Sequence, residues 1–175
     1  MHALKQWTLA AVTSLSAGHV AAVPMVSGQW YLFDAYADSV DSPWVDENLD
    51  ALHFEVTLAT DALFTVVDGG LSGGRYEVFV DGVSRGLTDV PADAGDVSKD
   101  LDFDAALADS RWSRGGFHLS AGTYTISGRA VAFGADVLAE TGGVMLTPVP
   151  EPGTWALVGV GTLLTGAALR RQRSL

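Results

Sequence analysis

The sequence predicts an all-β protein: a single antiparallel β-sandwich domain of jelly-roll type, with an N-terminal signal helix and a C-terminal single transmembrane helix. Three observations predict it. Leu52-His53-Phe54-Glu55-Val56-Thr57-Leu58 alternates strictly between apolar and polar residues, the period of a half-buried strand. Asp81-Gly82 stands between two strand-like runs, and this dipeptide favours a tight hairpin turn. Glycine-rich punctuation at Asp68-Gly69-Gly70 and Gly73-Gly74 separates short runs, and no βαβ pattern interrupts them.

The elements follow in order. Residues 1–22 read as a secretory signal. Lys5 and the free amine form a positive start, and Trp7 to Ala17 form a mostly apolar stretch too short to span a bilayer. Val20 and Ala22 are small residues at the positions a signal peptidase reads, which places cleavage after Ala22. Residues 23–148 form the sandwich. Strands are expected at Trp30 to Ala37, Leu52 to Leu58, Leu63 to Val67, Arg75 to Val80 and Val83 to Leu87. Further strands are expected at Gly116 to Leu119, Thr123 to Ser127 and Gly143 to Thr147. One short helix is expected from Phe103 to Asp109, capped by Asp102 with Asp104 in its first turn.

Residues 149–175 form a separate tail. Pro150 and Pro152 flank Glu151, and two prolines in three residues exclude helix there. No charge interrupts Trp155 to Leu169, a run that as a helix rises ~22 Å, slightly short of a bilayer core. Arg170, Arg171 and Arg173 follow, and their long stems can reach the interface and make up the missing length. Arginines after a span stay cytoplasmic, so the sandwich lies outside the inner membrane, in agreement with the signal segment.

This three-part tail resembles the PEP-CTERM sorting signal, with Pro150, Glu151 and Pro152 as its motif residues. The resemblance implies a membrane processing enzyme, an exosortase, that recognises the Pro-Glu-Pro region and releases or transfers the protein. It implies an exported protein, transiently anchored in the inner membrane and then found at the cell surface or outside. It also implies a host that makes extracellular polysaccharide and biofilm. The stretches Trp112 to Phe117 and Leu119 to Ile126 resemble small sandwich domains borne by other proteins with this tail, a likeness that assigns no site.

Composition narrows the function. The chain has no cysteine, so disulfides and thiolate metal sites are excluded. Residues 23–150 hold 20 acids against 6 bases, a net charge of −14, which repels phosphate backbones and argues against nucleic-acid binding.

Several constellations carry possible chemistry. Gly82-Val83-Ser84-Arg85-Gly86 fits the string of a nucleophile elbow, and Asp104 or Asp109 and then His118 complete a hydrolase order. An elbow needs a strand, a sharp turn and a helix, whereas this string follows a hairpin. The acidic loop Asp34, Asp38, Asp41, Asp46 and Glu47, and the run Asp100, Asp102 and Asp104, could offer oxygens to calcium, although neither matches an EF-hand loop. No other cofactor is expected. His53 and His118 fall on the polar sides of their strands, the usual place for solvated histidines. Trp44 and Trp112 lie in loop-like stretches, where an exposed indole can stack on a sugar face or fold back onto the core. The leading expectation is a non-enzymatic, surface-sorted sandwich protein that serves the extracellular matrix or binds glycan. The alternative is a secreted serine hydrolase using Ser84 and His118.

Overall fold

A computed structural model describes residues 20–92, 98 and 100–150. Among the described residues there are nine strands: β1 (Val20–Pro24), β2 (Trp30–Tyr36), β3 (Ala51–Leu58), β4 (Ala62–Asp68), β5 (Arg75–Val80), β6 (Val83–Leu87), β7 (Arg114–Leu119), β8 (Gly122–Ala132) and β9 (Ala139–Pro148). One helix, α1 (Phe103–Leu107), lies between β6 and β7. The strands form a five-stranded sheet in the order β1-β3-β8-β5-β6 and a four-stranded sheet in the order β2-β9-β4-β7. Every connection except the β5–β6 hairpin crosses from one sheet to the other, so β2 to β9 wrap in the order of a jelly roll.

The expected strands are all present, and the alternation sets their faces. In β3, Leu52, Phe54 and Val56 point into the sandwich while His53, Glu55 and Thr57 point out. At the hairpin Asp81 (φ 51°) and Gly82 (φ 75°) both adopt positive φ, the turn whose twist matches the flanking strands. The largest extensions beyond the expected bounds are in β8, which continues to Ala132, and β9, which begins at Ala139. One strand is unpredicted: β1 pairs in parallel with β3, from Val20 opposite Ala51 to Pro24 opposite Glu55. It therefore includes the last three residues of the expected signal segment. Residues 1–19 of that segment lie outside the described residues.

The core fills the space between the sheets. Phe33 stacks on Trp44 with ring centroids 4.2 Å apart, and Tyr76 meets Phe33 edge-on at 4.9 Å. Phe54, Phe64, Ile126, Val144 and Leu146 complete the layer. A smaller cluster covers the outside of the four-stranded sheet, where α1 lays Phe103 and Ala106 against Val67 and Trp112. The Asp102 carboxylate accepts a hydrogen bond from the Ala105 amide at 3.0 Å and caps α1, as its position predicts. A cap of this kind contributes about 1 kcal/mol. Asp104 accepts from the Trp30 indole at 3.0 Å and ties the helix to β2. These two bonds give Asp102 and Asp104 structural roles in holding α1.

Both loop tryptophans are core residues. Trp44 and Trp112 are each 1% exposed, so neither indole face is open to a sugar. This corrects the expectation that they form a glycan platform. Folding back removes each large apolar ring from water, the stronger effect for a loop tryptophan next to an unfilled core.

Candidate functional site

A shaped surface lies on the outer face of the five-stranded sheet. It arises because the sheet forks. β3 and β8 pair only from Phe54 opposite Ile126 to Leu58 opposite Gly122. Beyond Phe54 the segment 42–45 enters between them. Ala130 donates its amide to Ser42 O at 2.8 Å, Trp44 donates to Gly128 O at 2.9 Å, and Leu52 donates to Trp44 O at 2.8 Å. Asp41 (φ 61°) and Ser42 (φ 43°) make the turn that drives the segment in, at backbone angles that are disfavoured for residues with a side chain. The Trp44 ring fills the fork from the core side. On the solvent side a depression of about 270 Å³ remains, bordered by Asp41, Pro43, His53, Phe79, Ser127 and Arg129, with Trp44 and Leu52 beneath.

The rim is polar and organised. Arg129 donates from Nε (2.9 Å) and Nη2 (2.7 Å) to Glu77 Oε2. Ser84 donates its hydroxyl to Glu77 Oε1 at 2.7 Å. These bonds, that from Ser84 first, hold the Glu77 carboxyl below its usual range. The Arg129 guanidinium also lies 5.8 Å from the centre of the Phe79 ring. Two residues further along the same strands, a second trough of about 370 Å³ is lined by Glu55, Thr57, Thr123 and Thr125, with Pro24 and Met25 from the β1 edge.

The remaining predicted residues fall apart from one another. Ser84 lies on the exposed β6 of the five-stranded sheet, and its hydroxyl is bonded to a glutamate. His118 lies on β7 of the four-stranded sheet. Among the described residues, no helix directly follows the Ser84 turn, so the elbow string lacks its geometry. Asp34 accepts from the Thr141 hydroxyl at 2.5 Å, and Asp41 pairs loosely with Arg129 at 3.9 Å. Among the described residues, no group of three or more His, Asp or Glu side chains could hold a metal ion, so Asp34, Asp38 and Asp41 do not form a cluster. Pro150 is the last described residue of the tail. Glu151, Pro152, the span 155–169 and Arg170, Arg171 and Arg173 lie outside the described residues. Among those described, no helix is long and apolar enough to cross a membrane.

Two buried carboxyls escaped the sequence reading. Asp68 and Glu140 are both fully buried and face inward, because Asp68 pairs opposite Gly142, two residues from Glu140 on β9. Burial raises the Asp68 pKa to about 6, against hydrogen bonds from the Tyr76 hydroxyl and the Gly74 and Gly73 amides. Burial likewise raises Glu140 to about 7, against a hydrogen bond from the Gly134 amide, and the Asp68 charge adds to the rise. The only signal in the sequence is that the flanking segments are apolar and glycine-rich.

Fold and surface together define a small all-β domain with an open polar face, whose last strand runs straight into a proline-rich tail. That tail identifies the kind of protein. Residues 148–173 match the PEP-CTERM protein-sorting motif, and the match begins at Pro148, the final residue of β9. The chain carries the sorting signal of an exported protein that is anchored transiently in the membrane and processed by an exosortase, a membrane enzyme. No curated protein matches the chain.

Proposed function

We propose that this protein is a non-enzymatic component of the extracellular matrix, delivered to the surface through its tail, and that its sandwich binds glycan. The observation that carries the reading is the direct junction of β9 with the sorting motif at Pro148. Nothing intervenes between the sandwich and its address, so the sandwich is the delivered cargo. A net charge of −14 on residues 23–150 keeps such a cargo soluble and away from nucleic acid. Ser84 bonded to Glu77, on a different sheet from His118, supports a binding role over hydrolysis.

The test follows the full chain in cells that contain an exosortase. The native protein is expected to shorten at its C-terminus and to appear in the surface or matrix fraction. Replacing Pro150, Glu151 and Pro152 with alanine is expected to leave it at full length in the inner membrane. Normal shortening and release of that variant would show that the tail is only an anchor.

A further inference from the structure

We propose that the fork between β3 and β8 is a subsite for one sugar unit of a neutral, linear polysaccharide, with the adjoining trough holding the neighbouring units. This rests on the glycan-binding reading above and names the place and the ligand class.

The floor supplies the first argument. The Trp44 indole Nε1 is buried and has no hydrogen-bond partner. Nε1 is sealed beneath the fork and faces the core, so what Trp44 gives the depression, with Leu52, is a closed apolar floor on which a sugar ring can rest.

The rim supplies the second. Sugar hydroxyls both donate and accept, and the fork offers both kinds of group close together. The Ser127 hydroxyl and His53 imidazole do either, the Asp41 carboxylate accepts, and the Arg129 guanidinium donates. Pro43 and Phe79 provide apolar edges for the C–H face of a ring.

Shape and charge choose the polymer. The fork and trough share β3 and β8, since His53 and Glu55 are alternate residues of one strand and Ser127 and Thr125 of the other. From Ala51 to Thr57 the face runs ~20 Å at the rise of a strand, which suits a chain better than a single sugar. In the fork, Arg129 is already engaged by Glu77, and the domain around it is strongly acidic. An anionic polymer would be repelled, so the ligand is neutral.

The experiment uses the full chain in detergent, passed over immobilised dextran, mixed-linkage glucan, galactomannan and, as the anionic probe, alginate. Native protein is expected to be retained by at least one neutral polymer and not by alginate. Its tryptophan fluorescence is expected to shift on binding, because the depression lies directly over Trp44. The double variant His53→Ala/Ser127→Ala, on the outer face, is expected to bind about tenfold more weakly, the loss of two hydrogen bonds, with an unchanged melting temperature. Thr123→Ala/Thr125→Ala is expected to weaken binding less. Neutral binding that the His53/Ser127 variant retains in full would overturn the fork while leaving glycan binding intact. Retention by alginate alone, or by no polymer, would overturn both the ligand class and the glycan-binding part of the function. Delivery through the tail would still stand on its own test.

Discussion

Gly128 shows how much one hydrogen atom decides at the fork. A Cβ at this position would stand 2.2 Å from Trp44 Cε2, well inside contact distance. The indole has no room to retreat, because Phe33 is stacked on its ring. Gly128→Ala is therefore expected to destabilise the domain by about 2–3 kcal/mol, the effect of overpacking a rigid site. A denaturant titration reads this directly, and an unmoved midpoint would mean that the ring is not pinned. The buried acids set a second expectation at this scale. Asp68 and Glu140 titrate near 6 and 7 when folded, above their ordinary values of 3.8 and 4.5. The folded state favours their protonated forms. Their contribution is fully present below about pH 4 and is lost as pH rises through about 6 to 7. The melting temperature is expected to fall between pH 5 and pH 8. Glu140→Gln keeps an acceptor for Gly134 and removes the charge, so it should flatten the upper part of that fall. A variant whose curve parallels the native one would show that Glu140 stays ionised in the fold.

The β5–β6 hairpin sets the surroundings of Ser84 at the scale of an element. Its turn is built by Asp81 and Gly82, and Asp81 also accepts the Thr125 amide at 2.9 Å, locking the turn to β8. Ser84 then falls on an exposed edge strand with Glu77 as its partner. Among the described residues, no helix begins directly after β6 to offer backbone amides to an oxyanion. Ser84→Ala is expected to leave stability and glycan retention within experimental error of native, because it removes one exposed hydrogen bond. An ester-hydrolysis assay on both proteins provides the check. Activity that the native chain shows and the variant lacks would make the protein a hydrolase. Helix α1 carries the opposite lesson. It is only five residues long, too short to persist alone, and is held by its Asp102 cap and by Phe103 packing on the sheet.

For the whole molecule, one end of the sandwich meets the sorting motif and the other meets the expected signal segment. At one end β9 stops where the sorting motif starts. At the other, β1 straddles the expected signal cleavage between Ala22 and Val23. Val20 to Ala22 pair only with Ala51 to His53, at the outer edge of the five-stranded sheet. Removing them leaves Val23 and Pro24 paired and uncovers an edge of three residues beside the fork. N-terminal sequencing of exported protein is expected to begin at Val23. A start at Met1 would mean that the segment is retained, with β1 at full length.

The sequence by itself determined the strands, the hairpin, the helix cap and the sorting tail. Each of these rests on residues close together in the chain: alternation in Leu52 to Leu58, the positive-φ pair Asp81-Gly82, Asp102 three residues before Ala105, and Pro150-Glu151-Pro152 before an uncharged run. Only the tertiary structure decided the rest. Whether Trp44 and Trp112 face sugar or core depends on what lies opposite them, and no local pattern reports that. The fork depends on segment 42–45 entering between β3 and β8, which are far apart in sequence. The inward pair Asp68 and Glu140 depends on the register of β4 against β9. The weak parallel pairing of β1 has no turn to announce it. Local propensity reads periods and turns, whereas a site on a sandwich is made by the pairing of distant strands, and that pairing is set by packing across the whole core.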